Sequence, residues 1–204
     1  MSSAFMTAMG VGFSLGFIHA LDADHVMAMT SLNNKRPKLT TMLMFCVHWA
    51  LGHAAVLLLG GLLLFGLDIK MPAFLQYAAE MGVGLILIFI GVFCFWTLRT
   101  DKHSLNTTNN KQVPAFVGII HGLAGSAPVL ALIPLTAQEN IYLSMSYLLI
   151  FSFGIMFSML LFGFGFGSFQ TLLQHKTKRF FIFQRYLIAG ASVSLGSFWV
   201  AQVI

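Results

Sequence analysis

Charged residues are scarce in this chain of 204 residues: Asp, Glu, Lys and Arg make up 8% of it, against about 25% in an average soluble domain. Hydrophobic residues make up 58%, and the mean hydropathy is +0.86. A soluble fold of this length could not cover its surface with so little charge. The composition therefore predicts an all-α integral membrane protein, and the length allows six helices of about 20 residues each.

The sequence also lacks the motifs of several other protein classes. Its two cysteines, Cys46 and Cys94, form no C-x-x-C pair, which argues against a thiol relay. No ATP-binding motif and no paired nucleophile and base are found, so no enzymatic activity is expected. The net charge of +5 comes from Lys and Arg in short loops, which indicate membrane topology rather than nucleic acid binding. No basic segment precedes the first apolar run, which is therefore expected to stay as a helix.

Polar breaks divide the chain into six apolar stretches, each long enough to cross a bilayer. They are Ala4–Leu32, Leu39–Leu67, Pro72–Leu98, Gln112–Leu135, Ile141–Phe169 and Phe180–Val203. The five loops between them carry three, one, three, no and three Lys or Arg residues in chain order. By the positive-inside rule, the first, third and fifth loops face the cytoplasm. We therefore predict one multi-pass domain over residues 1–204 in the bacterial inner (cytoplasmic) membrane, with both termini periplasmic.

The two halves of the chain resemble each other at an offset of 102 residues. "GFIHALDAD" at Gly16–Asp24 aligns with "GIIHGLAGS" at Gly118–Ser126, so that His19 aligns with His121. Because each half holds three spans, the second half is inverted in the membrane. We predict two inverted three-helix repeats, over about residues 1–100 and 110–204, which is a transporter pattern. The alternative is chance similarity between two glycine-rich apolar helices.

The segment "HALDADH", His19–His25, places four ionisable side chains inside the first predicted span. Each such group costs about 2.5–3.5 kcal/mol at the bilayer centre. On a straight helix, at 100° per residue, Asp24 would point nearly opposite to His19 and Asp22. Either the helix is interrupted near Ala20–Asp24, where open backbone would line a cavity, or Asp24 contacts a neighbouring helix.

The four groups of this segment are candidate metal ligands. Two imidazoles and two carboxylates suit a first-row divalent ion such as Ni²⁺, Co²⁺, Fe²⁺ or Zn²⁺. The alternative is a set of internal salt bridges that joins helices, but no Lys or Arg lies in the central part of any span to pair with the carboxylates. The candidates in this segment are His19, Asp22, Asp24 and His25.

Two further histidines are candidate ligands. His53 precedes two alanines, which let another helix approach closely. His48, on the same span, points about 140° away from His53 and is interpreted as a hydrogen-bonded core or vestibule histidine. His121 aligns with His19 and precedes two glycines and Pro128, so an interruption is predicted in the fourth span as well.

These motifs resemble those of the nickel/cobalt transporter (NiCoT/NicO) superfamily. "HALDADH" matches the family motif H-x-x-x-x-D-H in full, and "LGH" at Leu51–His53 is similar to the next motif. The departures are Ile18, where the family usually has Arg, and six predicted spans instead of eight. With "HGLAGS" at His121–Ser126, the chain looks like the six-span UreH-like members. The resemblance implies that His19, Asp22, Asp24, His25 and His53 bind a transition metal.

Motif and resemblance together predict a secondary transporter that binds Ni²⁺ or Co²⁺ at the HALDADH segment. Uptake is the favoured direction, because the membrane potential contributes about 2.3 kcal/mol per charge per 100 mV. The alternatives are a proton-coupled exporter, a membrane redox or assembly protein, and a metal sensor that does not transport. The metal is then the transported substrate, and no permanently bound cofactor is expected. The expected partners are the divalent ion and the lipid bilayer, not nucleic acid, and a homodimer is one assembly that the sequence allows.

Overall fold

The computed structural model describes residues 3–33, 38–69, 72–100, 112–131, 140–173 and 178–204. Every regular element in these ranges is a helix, which confirms the predicted all-α class. A π-helical segment, Leu62–Gly66, continues the third helix. The α-helices are α1 (Ser3–His19), α2 (Ala23–Leu32), α3 (Leu39–Gly61), α4 (Ala73–Thr100), α5 (Gln112–Ala131), α6 (Ile141–Leu173) and α7 (Lys178–Val203).

The helices are those of a multi-pass membrane protein. Within the part of the chain that the structure describes, four segments are long and apolar enough to cross a membrane: Leu39–Gly66, Ala73–Arg99, Ile141–Leu172 and Ile182–Val203. Helices α1 and α2 add one more span if the bent pair is taken as a single segment. The apolar part of α5 within the described side chains, Gln112–Ala124, is shorter than these spans. Residues 132–135, with which the fourth predicted span ends, lie outside the described residues.

The interruption predicted in the first span is confirmed between α1 and α2. The backbone N–H of Leu21 donates to the carbonyl of Ile18, and that of Asp22 donates to the carbonyl of His19, at N···O distances of 2.9 and 3.1 Å. These i to i+3 bonds tighten the end of α1 into a 3₁₀-like turn. Asp22 then leaves the helical conformation, with φ −57° and ψ 147°, and α2 begins at Ala23. The two helices meet at an angle of 52°.

The interruption predicted in the fourth span is wrong. Helix α5 is continuous from Gln112 to Ala131, past His121 and through Pro128. A proline in a membrane helix removes one hydrogen bond without ending the helix where neighbouring groups accommodate it. The glycine next to His121 permits close packing instead, because a Cβ on Gly122 would lie 2.9 Å from the carbonyl oxygen of His53.

Glycines also set the closest crossings between helices. Helix α1 crosses α6 at Gly16, where an added Cβ would collide with the carbonyl oxygen of Phe151. Helix α3 crosses α5 at Gly52, where it would collide with the carbonyl oxygen of Ala115. Small residues of this kind let helix backbones touch, which is how membrane helices associate. Helix α3 also packs on α6, and α4 packs on α7. Together with the two crossings, this packing brings α1, α3 and α5 around the break that follows His19.

Candidate metal centre

Four histidines from four helices come together at the break of the first span. His19 ends α1, His25 lies in the first turn of α2, and His53 lies in the middle of α3. One possible ligand atom of each of these three lies within 4.8 Å of the others. The ring of His121, on α5, is 5.2 Å from the ring of His25, measured between centroids. We call these four residues the histidine cluster.

Two aspartates bind the Nδ1 atoms of two rings in the cluster. An oxygen of Asp22 lies 2.9 Å from Nδ1 of His19, and an oxygen of Asp24 lies 3.1 Å from Nδ1 of His25. In both rings, Nε2 is buried and has no hydrogen-bond partner among the described residues. A carboxylate on one ring nitrogen fixes the tautomer and the ring orientation, which leaves the other nitrogen free to bind a metal.

The other two histidines also present unpaired nitrogens. Nδ1 of His121 donates to the carbonyl oxygen of Val117 at 2.9 Å, and its Nε2 has no partner in the described part of the chain. Both ring nitrogens of His53 lack a partner there, although its side chain is 0% exposed. A buried polar atom left unpaired costs about 1–3 kcal/mol. A cation held between these rings would satisfy several such atoms at once.

The donor set indicates which ions could bind. Neutral imidazole nitrogens suit ions such as Ni²⁺, Zn²⁺ and Cu²⁺, whereas Mg²⁺ and Ca²⁺ prefer oxygen ligands. Asp22 and Asp24 add two negative charges beside the rings, and these charges would offset those of a divalent ion. The two aspartates differ in burial: the side chain of Asp22 is 53% exposed, whereas that of Asp24 is 14% exposed.

A cavity of about 570 Å³ reaches the histidine cluster. His19, His25 and His121 line it together with Asp22 and Asp24. Most of its remaining wall is apolar and comes from α1, α4, α6 and α7. Polar groups concentrated in an apolar cavity are the usual arrangement of a small-ligand site.

Three residues of the site were missed by sequence reasoning. Glu80 of α4 lines the cavity, and an acidic residue within an otherwise apolar span is a signal that could have identified it. Trp49 is fully buried, with its ring centroid 4.9 Å from that of His121. Phe151 packs similarly on His19, at 5.7 Å between centroids. No sequence pattern distinguishes Trp49 and Phe151 from ordinary core residues.

The remaining histidines fall outside the cluster. Nδ1 of His48 makes a 2.6 Å hydrogen bond to the carbonyl oxygen of Met44, within its own helix. This contact confirms that His48 is hydrogen bonded apart from His53. His103 and His175, which lie in loops, are outside the described residues.

Two known proteins are similar to this chain. The urease accessory protein UreH of Bacillus sp. strain TB-90 is 31% identical over 182 residues, which cover 82% of this chain and 76% of that protein. The chloroplast protein FOR GROWTH AND FERTILITY 2 of Arabidopsis thaliana is 28% identical over 209 residues. That match covers 94% of this chain but only 55% of the Arabidopsis protein. No protein-family model and no solved structure matches the chain.

Proposed function

Since the chain belongs to the family of the urease accessory protein UreH, we propose that it is a secondary transporter that carries Ni²⁺ or Co²⁺ across a membrane. As a member of that family it is not an enzyme. The observation that carries the proposal is the histidine cluster: four helices each bring a buried Nε2 atom that has no hydrogen-bond partner among the described residues, and three of these histidines, His19, His25 and His121, line a common cavity. The accessory role in the name of the Bacillus relative fits a protein that supplies a metal ion.

The cluster fits an ion site better than it fits a set of internal salt bridges. Salt bridges alone would account for the contacts of Asp22 with His19 and of Asp24 with His25. They would leave Nε2 of both rings, and both nitrogens of His53, buried without partners in the described ranges of the chain. We propose that the Nε2 atoms bind the ion, while the two carboxylates orient the rings and offset its charge.

We further propose that the chain has six spans arranged as two inverted repeats, with α5 as the core of the fourth span. The close crossings support this arrangement, because they recur at the offset of 102 residues seen in the sequence. Gly16 touches the carbonyl of Phe151. The residue 102 positions after Gly16 is Gly118, and the residue 102 positions before Phe151 is Trp49. Gly118 touches the carbonyl of Trp49 in the same way. A second pair of crossings follows the same rule: Gly52 with Ala115, and Gly154 with Phe13.

The energetics favour uptake. In a bacterial inner membrane with the cell interior negative, a divalent ion gains about 4.6 kcal/mol per 100 mV on entry, twice the gain of a single charge. No further energy source is then required, whereas export against this field would need a coupled ion. The Lys and Arg of alternate loops support an orientation with both termini periplasmic.

Transport by the purified protein in sealed liposomes tests this function. We expect Ni²⁺ or Co²⁺ to enter liposomes that contain a metal-sensitive dye, and to enter faster when a potassium diffusion potential makes the interior negative. Protein-free liposomes are the control for leakage, and Mg²⁺ is the control for selectivity because imidazole ligands bind it poorly. The absence of Ni²⁺ and Co²⁺ flux at either sign of the potential would refute the proposed function.

A further inference from the structure

Glu80 is a carboxylate in a place where a membrane helix seldom has one. It lies in the second turn of α4, half-buried, in a segment long and apolar enough to span the membrane. An ionisable group within such a segment is costly, and it is a functional-site candidate for that reason. Glu80 lines the same cavity as the histidine cluster but belongs to a helix that contributes no histidine to the cluster.

The exposure of the polar groups around the cavity indicates where its mouth lies. The side chain of Asp22 is 53% exposed and Glu80 is half-buried, whereas His25 and His121 are only 2% and 1% exposed. The carboxylates of Asp22 and Glu80 therefore lie nearer the entrance of the cavity, and the buried imidazoles form its floor. The apolar wall of the cavity includes Trp199, near the end of α7.

The charge of Glu80 is held in place but not neutralised by its neighbour. Nε2 of Gln76, one turn earlier on α4, donates a 3.0 Å hydrogen bond to Oε1 of Glu80. Glutamine is neutral, so this bond orients the carboxylate and leaves its negative charge to act on an ion. An apolar wall of low dielectric strengthens the field of such a charge inside the cavity.

We propose that Glu80 is the capture residue for the hydrated divalent transition-metal ion at the mouth of the cavity. Its carboxylate binds the ion while water still fills part of the coordination sphere, and the buried imidazoles then replace that water. The same charge raises the local concentration of cations at the entrance. This inference rests on the proposed transport function and adds a second site to it, distinct from the histidine cluster.

The variant Glu80→Gln tests the inference, because it removes the charge at nearly constant shape. We expect the KM for Ni²⁺ uptake to rise by about three- to tenfold at low ionic strength, with an unchanged maximal rate. The difference from wild type should shrink as salt is added, and Glu80→Asp should restore part of the affinity. Asp68→Asn is the matched control: it removes the same charge from an exposed position that does not line the cavity. Asparagine also tolerates the positive φ of 53° at that position.

A second measurement separates this inference from the proposed function. The visible spectrum of bound Co²⁺ reports the histidine cluster directly, and it should be the same in Glu80→Gln and wild type. An unchanged KM in Glu80→Gln, or a lower maximal rate together with an altered Co²⁺ spectrum, would overturn the capture role. Failure of the wild-type protein to bind or transport either metal would instead overturn the proposed function.

Discussion

Replacement of His53 by leucine is expected to lower Ni²⁺ uptake by more than about a hundredfold while the protein still inserts and folds. His53 is completely buried in α3, and neither ring nitrogen has a hydrogen-bond partner among the described residues. The substitution thus breaks no hydrogen bond and keeps most of the side-chain volume. It removes one proposed ligand, and changes to residues that only support metal ligands already cost about 10- to 100-fold in affinity or activity.

His48 provides the matched control on the same helix. It is also a histidine, but its Nδ1 atom bonds the carbonyl of Met44, and it is not part of the histidine cluster. His48→Leu should therefore retain uptake within about twofold of wild type, by analogy with surface substitutions of small effect. Uptake in liposomes with equal amounts of each variant, checked for a single peak on size exclusion, makes the comparison. Equal losses in both variants would mean that His53 is an ordinary core residue.

The second large effect is expected from Gly52→Val, which should destabilise the folded protein by at least about 2 kcal/mol. Helix α3 touches α5 at Gly52, and a Cβ there would collide with the backbone carbonyl of Ala115. A carbonyl oxygen within a helix cannot rotate away as a flexible side chain can. The two helices would have to separate, and the histidines that they carry, His53 and His121, would separate with them.

Gly165→Val in α6 is the control for this effect. It has the same change in helix propensity, but no atom of the described residues lies within 4 Å of an added Cβ at that position. Thermal unfolding in detergent, followed by tryptophan fluorescence, should show a clear drop in midpoint for Gly52→Val and little change for Gly165→Val. Similar midpoints for the two variants would contradict the close crossing of α3 and α5.

The sequence indicates a break in the first span, with contact of Asp24 to a neighbouring helix as the alternative, and it indicates which histidines meet there. A straight helix cannot direct His19, Asp22 and Asp24 to one point, and this geometry indicates the break. The alignment of His121 with His19 predicts that His121 lies at the same site. In contrast, glycines that weaken a helix and glycines that admit another helix look identical in a sequence. Only the backbone of α3 beside Gly122 distinguishes the two cases, and for this reason α5 was wrongly predicted to be interrupted.

The pairing of each carboxylate with one imidazole, from which we propose their separate roles, could not be predicted either. Asp22 and Asp24 are in the same motif as His19 and His25, and both residue types are metal ligands. Their contacts depend on the backbone angles of the break and on side-chain rotamers, which turn each carboxylate onto an Nδ1 atom. Glu80 reaches the site through the packing of α4, and no local motif around it records that packing.

X-ray absorption by Ni²⁺ bound to the purified protein is the most direct test of the histidine cluster as the ion site. We expect a first coordination shell dominated by nitrogen, with the multiple scattering of at least three imidazole rings. That scattering should weaken in His25→Leu and stay unchanged in His48→Leu. A shell of oxygen atoms without imidazole scattering, or a spectrum that His25→Leu leaves unaltered, would contradict the claim that these histidines hold the transported ion.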